Sequence, residues 1–182
     1  AGNDLLSTAE GVLEVVSTNY QRVRDLVEQA SNGTYTTADR TKIKAEIDSR
    51  LDEIETLTAN ATFNGKKLFA GTNGTAVTLQ TGTTKSDNVT LGSSIFKDVD
   101  ASALKTTVDG AFTTNTYTAL SNAISSIDTK MTDITQRVSD IGAAQNKLEA
   151  VSDALTVQET NLSSAMSTIK DADVAEESAS YV

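Results

Sequence analysis

From Tyr117 to Ile169, apolar side chains recur at alternating steps of three and four residues: Tyr117, Leu120, Ile124, Ile127, Met131, Ile134, Val138 and Ile141, then Leu148, Leu155, Leu162, Met166 and Ile169. The same register passes through three polar positions, Gln145, Ser152 and Glu159. A repeat averaging 3.5 residues is the seam of a helix packed lengthwise on other helices. At a rise of about 1.5 Å per residue such a helix is on the order of 80 Å long, too long for a compact domain of this mass. The spacing therefore predicts a rod. Nothing in the chain interrupts it, because the sequence has no proline, the residue that most reliably breaks a helix. Gly142 is tolerated within it at about 1 kcal/mol relative to alanine. The pattern fades near Lys170, so the long helix is expected over 116–170. Residues 171–182 carry no stop signal and read as a truncated end.

The N-terminal part carries the matching half of the rod. Leu6, Ala9, Leu13, Val16, Tyr20, Val23, Val27 and Ala30 step by three and four without a polar interruption, and Leu5, Val12 and Leu26 broaden that face. A wider stripe suits a bundle of more than two helices. This helix is expected over 1–31, ending at Asn32-Gly33, where a left-handed C-cap would stop it. Thr37 with Asp39 in the first turn reads as a new start, and Ile43, Ile47, Leu51, Ile54, Leu57 and Ala61 give a second helix, over 37–62, its buried stripe. Glu46 and Arg50 form an i,i+4 pair in the favourable order. A short turn between the two helices makes them antiparallel.

Between 63 and 115 the period changes. Asn64-Gly65 signals a turn. Ala76–Gln80 and Asn88–Leu91 alternate apolar with polar, the two-residue period of half-buried strands, and Thr81–Asp87 closes them into a hairpin that must lie against the helices to be stable. Gly92–Asn115 offers no firm element, with Ile95, Phe96 and Leu104 as anchors. The expected class is mainly α: an elongated antiparallel helical bundle with coiled-coil-like packing plus a small β-hairpin region, forming one rod-shaped domain over 1–182.

Composition removes most catalytic chemistry. The chain has no cysteine and no histidine, hence no disulfide framework, no zinc site of the usual ligand types and no Ser–His–Asp triad. It carries 15 Lys and Arg against 25 Asp and Glu, a net charge of −10, which argues against a nucleic-acid partner. No apolar run approaches the roughly 20 residues of a membrane span. The acidic groups Asp48, Asp52, Glu53, Glu55 and Asp171, Asp173, Glu176, Glu177 lack the spacing of a calcium loop and read as solvated faces. Asn73-Gly74-Thr75 fits the N-glycosylation pattern, a weak signal in a threonine-rich chain. No enzyme activity, cofactor or metal is expected.

Several stretches, in order, resemble bacterial flagellin. They are Ala9-Glu10-Gly11, Gln21-Arg22-Val23-Arg24-Asp25-Leu26, Asn32-Gly33-Thr34, Ala45-Glu46-Ile47 and Phe63-Asn64-Gly65 in the first half. In the second half they are Arg137 through Glu149 and Ile169-Lys170-Asp171-Ala172-Asp173. The resemblance implies a structural subunit of the extracellular flagellar filament, exported through the flagellum's own channel. It implies the inner core domain, without the terminal segments that build the filament's inner tube and without the variable outer domains. The partners it implies are other flagellin subunits and Toll-like receptor 5, an innate immune receptor; without the polymerising ends the chain is expected to be monomeric or weakly associated. Carried over residue by residue, the receptor surface comprises Arg22, Leu26 and Glu46, with Gln29, Ile43 and Arg50 in support. Leu26 is expected to be partly exposed beside Arg22. Glu28 places a negative charge where many relatives have an uncharged residue. The alternative is a rod protein of the hook–filament junction or the export apparatus, which shares the same plan of helical ends.

Overall fold

The computed structural model describes Gly2–Gly71 and Gly74–Ser180. Asn73 of the glycosylation triplet lies outside the described residues. Among them the chain forms α1 (Gly2–Ala30), α2 (Thr37–Asn60), β1 (Thr62–Phe63), β2 (Lys66–Lys67), β3 (Val77–Gln80), β4 (Asn88–Leu91), a 3-10 turn (Ser93–Phe96), α3 (Ala101–Thr114) and α4 (Tyr117–Ser180).

Every member of the α1 seam, from Leu6 to Ala30, is wholly buried. Its helix stops without a left-handed residue, and Gly33 does not have positive φ. Instead the last turn tightens: Ser31 N–H donates to Val27 and Glu28 carbonyls and Asn32 N–H to Gln29. Asn32 Oδ1 then accepts from the Thr34 N–H and hydroxyl at 3.1 and 3.0 Å. The asparagine side chain performs locally the turn that a left-handed glycine would have made. Helix α2 starts on a reciprocal capping box one residue before the expected threonine. Thr36 Oγ1 accepts from Asp39 N–H at 3.1 Å, and Asp39 Oδ2 accepts from Thr36 N–H at 3.2 Å. These bonds to Thr36 hold the Asp39 carboxyl below its ordinary range.

Residues 92–115 are not irregular. Asp100 takes a left-handed conformation with φ 50° and caps α3 by accepting from Ala103 N–H. Ala101, Leu104, Val108 and Ala111 then face the core. Their spacing of three and four is a helix signature that Gly110 and the surrounding threonines obscure. This short helix converts the upper rod into a four-helix bundle. α1 touches α2 and α4, and α3 closes the ring by touching both of those helices. Paired contacts fix the directions: Arg22 meets Glu46 while Asn19 meets Arg50, Asp52 meets Lys105 while Lys44 meets Asp109, and Arg24 meets Asp128 while Gly2 lies beside Leu148. Each falling residue number on one helix faces a rising number on its neighbour, so the helices run up, down, up, down.

Strands β1 and β2 pair antiparallel around Asn64-Gly65, whose φ values of 52° and 78° are those of a tight hairpin turn. Strands β3 and β4 pair with Val77 opposite Leu91 and Gln80 opposite Asn88. Val89 and Leu91 are buried, so this hairpin lies on the rod as marginal hairpins must. Gly74 has φ +67°, and a Cβ placed there would run into Ser93 O and the Lys97 backbone. Gly74→Ala should therefore cost at least about 1–3 kcal/mol from backbone strain alone. Denaturant unfolding checks this, with the chemical shifts of Ser93–Lys97 moving first.

Helix α4 runs for 64 residues, about 96 Å at standard rise. It passes ten residues beyond Lys170 because nothing in that stretch breaks it. Its buried positions are Leu120, Ala123, Ile127, Ile134, Arg137 and Ile141. From Ser152 to Ser180 every residue is exposed. Gly142 and Gly11 sit inside helices with no atom near the position of a Cβ. Alanine at each should stabilise the rod by roughly 0.5–1 kcal/mol, read as an additive rise in urea midpoint for the double variant.

Candidate interaction surface on the first two helices

The surface is built where α1 and α2 lie side by side. Arg22, on the solvent edge of α1, reaches across to Glu46 of α2 with two parallel bonds: Nε to Oε1 at 2.9 Å and Nη2 to Oε2 at 3.1 Å. Such a fork is the strongest geometry an arginine and a carboxylate can adopt, and it raises the guanidinium's affinity for its proton. Arg50, one turn beyond Glu46, approaches the same carboxylate at 3.8 Å and donates to Asn19 Oδ1 at 3.2 Å. The four residues form a ladder between two antiparallel helices, with Asn19 as its buried end.

Two further links frame the ladder. Gln29 donates to the Tyr35 hydroxyl at 2.9 Å, tying the end of α1 to the turn that follows it. Arg24 bonds Asp128 of α4 at 2.7 Å and lies 3.5 Å from Glu28. The negative charge of Glu28 is thus partly answered by its own helix. On the far side of α2, burial disfavours the charged Lys44 ammonium, but its bonds to Asp109 and Asp48 outweigh that and raise its proton affinity. Asp52 is engaged by Lys105 at 2.9 Å, and Glu55 accepts the Ser102 N–H at 2.8 Å. These acidic side chains hold α3 to α2.

The six residues inferred from resemblance divide into two groups. Arg22, Glu46, Arg50 and Gln29 are accessible and share one face. Leu26 and Ile43 do not: Leu26 is 2% exposed and Ile43 8%. The expected partial exposure of Leu26 is corrected by the bundle itself. α1 is gripped by α2 on one flank and α4 on the other, so the covered arc is wider than a single seam and includes Leu26. Sequence reasoning also missed Asn19, a buried amide between Thr18 and Tyr20 whose only signal was a polar residue beside the seam. Tyr20 is wholly buried with its hydroxyl unpartnered, and desolvation pushes that hydroxyl well above its ordinary range.

The fold is shared with two solved structures. The crystal structure of Bacillus cereus flagellin superposes with a TM-score of 0.69 at 26% identity, covering 90% of this chain and 91% of that one. A putative flagellar hook-associated protein from Vibrio parahaemolyticus matches with a TM-score of 0.73, covering 87% and 82%, but at 21% identity it speaks for the fold alone. Residues 1–74 match the bacterial flagellin N-terminal helical region and residues 124–181 the bacterial flagellin C-terminal helical region. The chain belongs to the bacterial flagellin family. A flagellin from Halalkalibacterium halodurans is 34% identical over 176 residues, 97% of this chain and 63% of the relative. Flagellin FlaB1 of Treponema pallidum is 27% identical over 198 residues, 99% of this chain and 66% of the relative. The chain thus spans just under two thirds of the length of these relatives.

Proposed function

We propose that this chain is the core part of a structural subunit of the extracellular flagellar filament, acting through packing against other flagellin subunits and not through catalysis. The observation that carries the reading is the antiparallel pairing of α1 with α4. It joins the segment that matches flagellin's N-terminal helical region to the one that matches its C-terminal region in a single rod. Head-to-tail contacts between such rods that do not close into a ring would build an open helical assembly. The test is to attach the terminal segments of the Halalkalibacterium halodurans flagellin to this chain and examine the product by electron microscopy. Long filaments are expected. Short caps, or no assembly, would instead favour a hook–filament junction protein.

On that face of α1 and α2, we infer that Arg22 and Glu46 are the contacts for Toll-like receptor 5, with Arg50 and Gln29 beside them and Leu26 and Ile43 supporting from beneath. The preformed Arg22–Glu46 fork supports this, since it presents an oriented arginine, a frequent anchor type in interfaces, at no further ordering cost. Arg22→Ala should weaken receptor binding at least tenfold, a change of about 1.4 kcal/mol, while helical content stays constant. Equal affinity for wild type and Arg22→Ala in a direct binding assay removes the assignment.

A further inference from the structure

We propose that Asn32, in the turn between α1 and α2, is a site of spontaneous side-chain modification, and that Thr34 positions it for the reaction. In that step the Gly33 peptide nitrogen attacks Asn32 Cγ and a new N–Cγ bond closes a five-membered imide. The side-chain nitrogen leaves as ammonia, taking the proton that the peptide gave up. Water then opens the ring at either carbonyl and leaves aspartate or isoaspartate in the chain. Asn32, Gly33 and Thr34 are all exposed. The Gly33 N–H is given to no carbonyl among the described residues, so the attacking nitrogen is free. Asn32 Oδ1 accepts from both the Thr34 N–H at 3.1 Å and the Thr34 hydroxyl at 3.0 Å. Those bonds close a ring that contains both Asn32 Cγ and the Gly33 nitrogen, which folds the amide back over the peptide that attacks it. They also set two donors on the oxygen that gathers negative charge as Cγ becomes tetrahedral.

Other asparagines are held away from this chemistry. Asn64 also precedes a glycine, but that pair sits at φ 52° and 78° between β1 and β2, with Phe63 opposite Lys66. Closing the imide there would take the backbone out of the left-handed turn that both strands need. Asn19, Asn122, Asn146 and Asn161 lie inside α1 and α4, where the following peptide nitrogen is tied into the helical ladder. Conversion at Asn32 changes the turn. It adds a negative charge to a chain already at −10, one turn beyond Glu28, at the C-terminal end of α1 where the helix dipole disfavours it. Aspartate keeps an oxygen for both Thr34 bonds. Isoaspartate carries the chain through Cβ and lengthens the backbone. It thereby loses the register that brings the Tyr35 N–H to the Asn32 carbonyl and Gln29 to the Tyr35 hydroxyl. The joint between the first two helices therefore loosens with age. The reaction needs only this turn and water, and rests on neither the filament nor the receptor reading.

The test is to incubate the 182-residue chain in mildly alkaline buffer and follow each asparagine by peptide mass spectrometry. Asn32 should convert about tenfold faster than Asn64 in the folded chain, and the two rates should converge when urea unfolds it. A protein isoaspartate methyltransferase should label the Asn32 peptide in step. Gly33→Ala should slow conversion at Asn32 by about tenfold, since a methyl group hinders the attacking nitrogen. Helical content should stay unchanged in that variant, because Gly33 lacks positive φ and an added Cβ meets nothing within 4 Å. Thr34→Val removes the hydroxyl donor and keeps the N–H, and should slow Asn32 about threefold relative to Asn64. Thr34→Ser should restore the rate. A hydroxyl that merely stiffened the turn would act in the opposite sense, so unchanged or faster conversion in Thr34→Val overturns the role of Thr34. Asn32 intact while Asn64 converts, or the same ratio of rates in folded and unfolded chain, overturns the site.

Discussion

Replacing Arg137 with alanine should cost the fold at least about 1.5–3 kcal/mol, the range for losing hydrogen bonds made by a charged group. The guanidinium is 2% exposed. Its three nitrogens are all engaged: Nε with Asp133 Oδ2 at 3.0 Å, Nη1 with the Lys97 carbonyl at 2.6 Å and Nη2 with the Asp98 carbonyl at 3.0 Å. One side chain of α4 therefore holds the segment that leads into the left-handed cap of α3. Alanine would leave the Lys97 and Asp98 carbonyls without their donor, while the Asp133 carboxylate, 33% exposed, would keep Lys97 at 3.2 Å. Arg137→Lys should recover only part of the loss, because an ammonium is a point charge and cannot reproduce the planar fork. Urea unfolding gives the magnitude, and hydrogen exchange should show α3 loosening before α1. A loss under about 1 kcal/mol would mean that desolvation of the arginine already cancels its bonds.

The second large effect is Leu26→Ala. A leucine this deeply enclosed typically loses 2–5 kcal/mol on truncation, transfer energy plus the cavity left behind. Thermal unfolding should move down accordingly. Arg22→Ala, four residues away and on the exposed fork, should leave the unfolding midpoint nearly unchanged. The contrast separates two explanations of any shared loss of receptor binding. For Arg22 the loss would report contact; for Leu26 it would report a softened bundle. If Leu26→Ala left stability untouched, the enclosed position of that side chain between α2 and α4 would be wrong.

The seams of α1 and α2 were legible because burial on one helix follows a fixed angular rule, and Leu6 through Ala30 obey it without exception. The β3–β4 hairpin was legible through its two-residue alternation. What escaped depends on neighbours and not on period. Leu26 sits off the strict seam and is covered because α1 is flanked by two helices, α2 and α4, and not by one. Arg137 is enclosed by a loop 39 and 40 residues away in sequence, which no local pattern announces. α3 hid because Gly110 and four threonines dilute a short apolar stripe, although Asp100, Leu104, Val108 and Ala111 held the cap and the spacing. The α4 seam was readable as far as Ile169, but periodicity says that a face is apolar and is silent on what lies against it.

The bare length of α4 also has a thermal consequence. A free peptide of residues 152–180 would have to nucleate its own helix, with an initiation constant of roughly 10⁻³, and should be mostly coil in water. Attached to the bundle, the same residues inherit a finished turn from Ile141–Val151 and need only propagate. Heating at concentrations too low for association should therefore unzip the helix from Ser180 backwards, gradually and without a sharp midpoint. The packed portion should still be intact when that fraying is far advanced, giving circular dichroism a sloping phase ahead of one cooperative step.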